Sequence, residues 1–246
     1  MKNNYFYQKP LANIYAKPSK KSEVISQIIF GEKFKILSRK NNWLKIKTIY
    51  DNYNGFLENS NLINKFRPTH KVYKLKTNIF KKKKNKFIST KEFLYFASRV
   101  SIINLKGKFV EFKKNKWIKK RDLTLIDYYE KNISKILRFF LNTKYLWGGK
   151  TSEGIDCSAL IQIYFYFNNV FFPRDTKDQI KFIKKNKNFR LSNKGKLMYW
   201  KGHVAYILSK NLLIHAYGPK KKVIIMKINK TIDEIKKNTN LDLKLI

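Results

Sequence analysis

YLWGGKTSEGIDCSALIQ, residues 145–162, is the segment that decides the fold of this 246-residue chain, and it contains the chain's only cysteine, Cys157. Residues 158–167 are almost wholly apolar and aromatic, and three glycines precede them. Glycines favour turns, and an apolar run of this kind favours a buried helix. The pattern therefore predicts a turn followed by a buried helix that begins near Cys157.

A cysteine at the start of a helix has a distinctive chemistry. The unpaired N–H groups of the first turn and the helix dipole favour the thiolate, with pKa values of about 3.5 to 7.5 in such settings. The same N–H groups can stabilise a developing oxyanion. Two of the three histidines, His203 and His215, lie downstream, and a lone thiol with imidazoles is the minimum equipment of a cysteine hydrolase. The alternative is that Cys157 is a small buried hydrophobic residue, as most free cysteines are.

A zinc site is a second alternative for the same three residues. Cys157, His203 and His215 together with a water would form a legitimate catalytic zinc set. The spacings that usually announce zinc, Cys-x-x-Cys and His-Glu-x-x-His, are absent from the sequence. We therefore expect neither a metal ion nor another cofactor.

Four blocks of sequence occur in a characteristic order. The first three are Tyr145 to Gly149, Asp156 to Leu160 and Phe172 to Thr176, and the fourth comprises the two segments that contain His203 and His215. Together they resemble the NlpC/P60 family of cell-wall cysteine peptidases. The resemblance implies an α+β, papain-like fold in which helices pack on an antiparallel sheet. It also implies that Cys157 is the nucleophile, His203 the general base and His215 the polar group that orients the ring of His203.

The same resemblance assigns four residues to the substrate. Tyr145 would place its hydroxyl near the reacting carbonyl, and Trp147, Asp156 and Ser158 would bind the substrate. A carboxylate beside the nucleophile suits a free α-amino group, which is cationic near neutral pH. From the residues alone, the alternatives are that Asp156 is a helix N-cap and that Trp147 is a core aromatic residue. Arg174 would either meet a carboxylate or cap a loop.

The first 124 residues have a different pattern. Short alternating apolar stretches between polar turns predict small β-barrels. Residues 1–64 resemble a bacterial SH3 domain, and residues 72–124 resemble a second, degenerate copy. The remaining residues, 125–246, form the predicted catalytic domain. It opens with an amphipathic helix whose apolar residues are Ile133, Ile136, Leu137, Phe140 and Leu141.

Two SH3 domains before an NlpC/P60 domain resemble the γ-D-glutamyl-L-diamino acid endopeptidases. Those enzymes cut murein stem peptides between D-glutamate and the diamino acid, and their first SH3 domain restricts them to peptides with a free N-terminal L-alanine. The resemblance therefore implies that Glu32 and Tyr53 contact the terminal amine. Two other functions stay open: a non-catalytic binder of wall peptides or nucleic acid, and an amidase or acyltransferase of the same fold.

The charge of the chain is strongly positive. Lys and Arg total 55 against 16 Asp and Glu, which gives a formal net charge of +39. Such a balance can indicate a nucleic-acid partner, but the lysines are spread along the chain without a compact basic motif. We expect a solvated cationic surface and no specific nucleic-acid partner. Murein stem peptides carry carboxylates, so a positive field would favour their capture.

The compartment is predicted from segments that the sequence lacks. Residues 1–20 contain no apolar core of a signal peptide, and no stretch of 18 apolar residues occurs. A single cysteine that must stay reduced fits the cytosol. We therefore expect a cytoplasmic enzyme of murein-peptide turnover without a membrane span, whose oligomeric state is open.

Overall fold

The computed structural model describes residues 4–60, 62–186, 197–239 and 244–245. The chain divides into two units, Met1–Tyr128 and Tyr129–Ile246. The first unit is built from β-strands and the second from helices and an antiparallel sheet. The prediction of an α+β chain with an N-terminal β region is therefore confirmed.

The first half of the N-terminal unit is one antiparallel sheet of short strands. Its strands are β1 (Asn4–Tyr7), β2 (Leu11–Tyr15), β3 (Val24–Ile29), β4 (Lys33–Lys40), β5 (Trp43–Thr48), β6 (Asn54–Glu58) and β7 (Leu62–Ile63). Their order in the sheet is β3-β2-β6-β5-β4-β1-β7. Alternate residues of β5, Leu44 and Ile46, point into an apolar core, as strand periodicity requires.

The second half of this unit has two further sheets. Its strands are β8 (His70–Val72), β9 (Lys76–Lys83), β10 (Lys86–Tyr95), β11 (Arg99–Val100), β12 (Asn104–Lys106), β13 (Phe109–Lys113), β14 (Lys116–Lys119) and β15 (Leu123–Leu125). A single 3-10 turn, Lys120–Asp122, precedes β15. The sheet orders are β10-β9-β14-β13-β12 and β11-β8-β15. Whether residues 72–124 are a second SH3 domain stays a prediction.

Phe30 joins the two halves of the N-terminal unit. It follows β3 in the chain, yet its ring packs in the core of the second half, 5.4 Å from the ring of Phe112. Its carbonyl accepts a hydrogen bond of 2.9 Å from the backbone N–H of Arg99. The two halves of the N-terminal unit therefore share apolar packing.

The C-terminal unit places helices against a five-stranded antiparallel sheet. The helices are α1 (Ile133–Phe139), α2 (Cys157–Phe167), α3 (Thr176–Lys185) and α4 (Ile228–Thr239). The strands are β16 (Lys150–Thr151), β17 (Gly154–Ile155), β18 (Leu197–Trp200), β19 (His203–Ile207), β20 (Leu212–Tyr217), β21 (Lys222–Lys227) and β22 (Lys244–Leu245), with a 3-10 turn at Gly218–Lys220. The sheet order is β21-β20-β19-β18-β22, and α2 packs against β19 and β20.

The amphipathic helix predicted at the start of this unit is α1. Ile133, Ile136 and Leu137 are buried in it, and Phe140 is buried at its C-terminal cap. The prediction was wrong for Leu141, which is exposed. The helix ends at Phe139, two residues before Leu141, so Leu141 no longer lies on the apolar face of the helix, and the chain turns at Asn142, which has a left-handed φ of 65°.

The helices in the described part of the chain are short. The longest, α4, has 12 residues. No helix among the described residues combines the length and apolar character that crossing a membrane requires.

Candidate active site

Helix α2 begins at Cys157, and this confirms the predicted helix start. Asp156 is its N-cap, because the Asp156 side chain accepts a 2.8 Å hydrogen bond from the backbone N–H of Ala159. Every residue of the helix is buried, and Cys157 itself is 4% exposed. The thiol therefore sits on the first turn of a buried helix.

The glycines before α2 allow the chain to pass close to itself. A Cβ atom on Gly149 would lie 2.4 Å from the carbonyl oxygen of Gly154, and one on Gly154 would lie 2.4 Å from the Cβ atom of Leu146. Neither distance is compatible with a side chain. The close approach puts the backbone N–H of Gly148 3.0 Å from Oδ2 of Asp156, so the loop is tied to the cap of α2.

Asp156 forms a buried, bidentate ion pair with Arg174. The two distances are 2.6 Å from Nη2 to Oδ2 and 3.0 Å from Nη1 to Oδ1. Gly148, Ser158 and Ala159 also donate to this carboxylate, so it accepts five hydrogen bonds from the protein. A carboxylate has roughly four lone-pair sites. An ammonium group of a substrate would therefore have to share Asp156 with donors that already saturate it.

Ser158 and Trp147, the other predicted substrate residues near the cap, lie in opposite environments. Ser158 is buried, and its hydroxyl donates to Asp156 at 3.1 Å and accepts from Arg174 at 2.9 Å. Trp147 is 58% exposed, which rules out the alternative that it is a core residue. Substrate contacts by these residues stay predictions.

The two predicted catalytic histidines meet on neighbouring strands. His203 begins β19 and His215 lies on β20, and Nε2 of His203 is 3.0 Å from Nδ1 of His215. The ring of Tyr217 stacks on His215 with the ring centres 4.6 Å apart. His215 is fully buried, so both its neighbours and its orientation are fixed by the protein.

The thiol of Cys157 lies against the start of β19. Its Sγ atom is 3.8 Å from the carbonyl oxygen of Gly202, and the backbone N–H of Val204 hydrogen-bonds to it. Gly202 and Val204 flank His203 in the chain, so the thiol is next to the strand that begins at His203. Because Nε2 of His203 faces His215, Nδ1 is the ring nitrogen left for the thiol.

Two tyrosines complete the surroundings of the thiol. Burial and the nearby charge of Cys157 raise the pKa of Tyr145 and of Tyr199. Tyr145 is half-buried at the glycine loop, and its predicted position near the reacting carbonyl stays a prediction. No role for Tyr199 was predicted from the sequence.

Gln179 is a buried structural residue for which no role was predicted from the sequence. Its amide nitrogen donates to the carbonyls of Ser158 at 3.1 Å and Pro173 at 3.0 Å, and its amide oxygen accepts from the hydroxyl of Tyr199 at 3.2 Å. The available signal was its place on the apolar face of α3, three and four residues before Phe182 and Ile183. A polar residue on such a face indicates a buried hydrogen-bonding role.

The ionisation of the site differs from the sequence-based expectation. Burial, and next the negative charge of Asp156, raise the pKa of Cys157 to about 12, although the N–H groups of Val204 and Ser158 and the charge of Arg174 oppose this. Burial lowers the pKa of His203 to about 4. The expected low thiol pKa was therefore wrong, because burial and the capping carboxylate outweigh the helix N-terminus.

The two pKa shifts determine which protonation states Cys157 and His203 have at neutral pH. At neutral pH these shifts favour the uncharged forms of both the thiol and the imidazole. A neutral imidazole can accept a proton, so the shifts are compatible with a general-base role for His203, which stays a prediction.

The histidine geometry bears on the zinc alternative. A separation of 3.0 Å between Nε2 of His203 and Nδ1 of His215 is that of a direct hydrogen bond. Across residues 4–60, 62–186, 197–239 and 244–245, no group of three or more His, Cys, Asp or Glu residues is arranged to hold a metal ion.

Glu32 and Tyr53, the residues predicted to contact a substrate amine, lie in the N-terminal unit. Glu32 is buried, and its Oε2 atom accepts a 3.2 Å hydrogen bond from the backbone N–H of Ile29. The hydroxyl of Tyr53 donates to the carbonyl of Ile25 at 3.4 Å. Both residues thus have local structural partners, and their substrate role stays a prediction.

A thiol at a helix start, beside a hydrogen-bonded histidine pair on an antiparallel sheet, defines the papain-like class of α+β proteins. Residues 142–239 match the NlpC/P60 family and residues 10–63 match the bacterial SH3 domain. The chain therefore contains an NlpC/P60 domain preceded by a bacterial SH3 domain.

Two of the three similar proteins described below match most of the chain, and the third matches a shorter part of it. The chain is 25% identical to "Dipeptidyl-peptidase 6" of Lysinibacillus sphaericus, over 84% of each chain. It is 32% identical to "Gamma-D-glutamyl-L-lysine dipeptidyl-peptidase" of Bacillus subtilis, over 39% of this chain and 35% of that protein. The crystal structure of an NlpC/P60 family protein from Bacillus cereus shares the fold, with a TM-score of 0.73, 18% identity, and coverage of 92% of this chain and 94% of that one.

The ion pair at the cap of α2 gives a stability prediction. Arg174→Ala leaves the buried carboxylate of Asp156 without its charge partner, and we expect the free energy of unfolding to fall by about 3–5 kcal/mol. Asp178→Ala is the matched control, because it removes an exposed pair with Lys181 at 3.7 Å and should cost under about 1 kcal/mol. Urea unfolding followed by circular dichroism measures both, and equal small losses would contradict the structural role of Arg174.

The buried histidines predict acid sensitivity of the fold. Burial lowers the pKa of His203 to about 4 and that of His215 to about 2, whereas unfolded histidines titrate near 6.5. As pH falls from about 6.5 to 4, the unfolded state binds up to two more protons, so stability present above pH 6.5 is lost by up to about 2.7 kcal/mol per pH unit.

Urea midpoints between pH 7.5 and 5 test this sensitivity. His215→Asn removes one of the two groups, so its stability should depend on pH less steeply than that of the native protein, by up to about 1.4 kcal/mol per pH unit. The same slope in both proteins would show that His215 does not remain neutral in the folded state.

Proposed function

We propose that this protein is a cysteine peptidase that hydrolyses the γ-D-glutamyl–diamino acid bond of murein stem peptides with a free N-terminal L-alanine. The observation that carries the chemistry is the thiol of Cys157, which lies against β19 beside the hydrogen-bonded pair His203 and His215. The substrate class is supported by two relatives, one named dipeptidyl-peptidase 6 and one named for γ-D-glutamyl-L-lysine.

The residues present can carry out both halves of the hydrolysis. The thiol proton of Cys157 passes to Nδ1 of His203 as the sulfur attacks the carbonyl carbon, and backbone N–H groups at the start of α2 are available to the resulting oxyanion. The tetrahedral intermediate collapses, the peptide C–N bond breaks, and His203 returns the proton to the leaving amine. Water then attacks the thioester, with His203 again as base, and this releases the acid and the thiol.

The direct test is mass spectrometry of L-Ala-γ-D-Glu-meso-diaminopimelate incubated with the purified protein. The native protein should release L-Ala-D-Glu, and Cys157→Ala should reduce the rate at least about a thousandfold, because it removes the nucleophile. Circular dichroism of both proteins controls for folding. An N-acetylated peptide should be spared if a free N-terminus is required.

Other outcomes would select the other functions. Cleavage of both peptides would contradict the requirement for a free N-terminus. Peptide binding that survives Cys157→Ala, without cleavage by the native protein, would favour a non-catalytic binder of wall peptides. Neither cleavage nor binding would favour an amidase or acyltransferase with another substrate.

The compartment that we propose is the cytoplasm. Cys157 is a free cysteine that must stay reduced to act as a nucleophile, and the cytosol keeps thiols reduced. Fractionation of cells that express the native protein should recover it with cytosolic markers. Recovery outside the inner membrane would contradict the proposal.

A further inference from the structure

His215 has a second polar neighbour besides His203. Its Nε2 atom lies 3.3 Å from the sulfur of Met226, and both side chains are buried. A thioether sulfur carries lone pairs but no hydrogen, so it accepts hydrogen bonds and cannot donate them. The proton of this contact must therefore be on Nε2 of His215.

The position of this proton fixes the others in turn. A neutral imidazole carries one N–H, so His215 with a proton on Nε2 has a bare Nδ1. This Nδ1 accepts from Nε2–H of His203 over the 3.0 Å contact, which leaves Nδ1 of His203 bare. Bare Nδ1 is the form that can take the proton of Cys157. Burial keeps both rings neutral at pH 7, since it lowers the pKa of His203 to about 4 and that of His215 to about 2.

The opposite arrangement of protons uses the same contact between the rings. If Nδ1 of His215 carried the proton, it would donate to Nε2 of His203, and His203 would then present an N–H at Nδ1. An N–H cannot accept the thiol proton, so this arrangement is inactive. It also places the bare Nε2 of His215 against the lone pairs of the Met226 sulfur. The contact with sulfur is therefore what separates the two arrangements in free energy.

We propose that Met226 is a positioning residue that selects the Nε2–H tautomer of His215 and, through it, the basic tautomer of His203. This inference rests on the proposed function only in assigning His203 as the base. Met226 acts through its contact with His215. The residue lies on β21 and pairs with Leu213 of β20, two residues before His215. The ring of Tyr217, stacked on His215, holds the plane in which Nε2 meets the sulfur.

The tautomers can be measured without any substrate. In the ¹⁵N-labelled native protein at pH 7.5, two-bond ¹H–¹⁵N correlation spectra should show His203 and His215 both as Nε2–H tautomers. Met226→Leu removes the acceptor while keeping an apolar side chain of similar size. We expect both rings of this variant to show Nδ1–H forms together, because the two rings share one hydrogen bond.

Met198→Leu is the matched control, because Met198 is buried in the same apolar cluster. It should leave both tautomers unchanged. In the cleavage assay, Met226→Leu should lower kcat about tenfold with KM within about twofold, the size expected for loss of one hydrogen bond that orients the base. Met226→Gln, whose side-chain carbonyl can accept from Nε2–H, should restore the native tautomers.

The outcomes separate this inference from the proposed function. A native spectrum with Nδ1–H at either ring, or a Met226→Leu spectrum like that of the native protein, would overturn the role of Met226 whatever the peptide assay shows. The predicted tautomer changes without peptide cleavage would support the role of Met226 and reject only the proposed substrate. If Met226→Leu does not fold, the tautomers of His203 and His215 in the native protein and in Met226→Gln still test the role of Met226.

Discussion

The buried ion pair between Asp156 and Arg174 is the interaction on which the C-terminal unit depends. The Asp156 carboxylate makes several further contacts. It caps α2 through Ala159, anchors the glycine loop through Gly148, and holds the segment after Pro173 through Arg174. Burying two charges is costly, and here the cost is offset by the bidentate pair and by the further donors that surround the carboxylate. Without it, three chain segments around the thiol would lose their common attachment.

The same carboxylate shapes the chemistry of its neighbour. Its negative charge adds to burial in raising the pKa of Cys157, so the group that positions the thiol also keeps it protonated. The proposed reaction therefore requires a neutral His203 that can accept the thiol proton. We propose that His215 and Met226 determine which ring nitrogen of His203 carries no proton.

The features that could be predicted from the sequence depend on residues that lie close together in the chain. The glycines and the apolar run predicted the start of α2, and the spacing of Ile133, Ile136 and Leu137 predicted α1. The family resemblance predicted that His215 contacts and orients the ring of His203, and the two rings are in hydrogen-bond contact in the structure. Short alternating stretches likewise predicted the β-strands of the N-terminal unit.

The features that the sequence left open or missed depend on residues that are distant in the chain. Of the two roles left open for Arg174, the structure shows the carboxylate contact, with Asp156 18 positions away. Met226, which was missed, meets His215 only because β20 and β21 pair. The direction of the pKa shift at Cys157 depends on how far burial and the charge of Asp156 outweigh the helix N-terminus, and the sequence predicted a buried helix without that balance. The packing of Phe30 in the second half of the N-terminal unit is long-range in the same sense.

In the proposed reaction, Cys157 attacks the substrate and forms a thioester. Rapid acid quench of the protein with L-Ala-γ-D-Glu-meso-diaminopimelate, followed by intact-mass and peptide-mapping mass spectrometry, tests it most directly. We expect an added L-Ala-γ-D-Glu acyl group that maps to the peptide containing Cys157. Turnover of the peptide by the native protein with the acyl group on another residue, or undiminished turnover after alkylation of Cys157, would contradict the account.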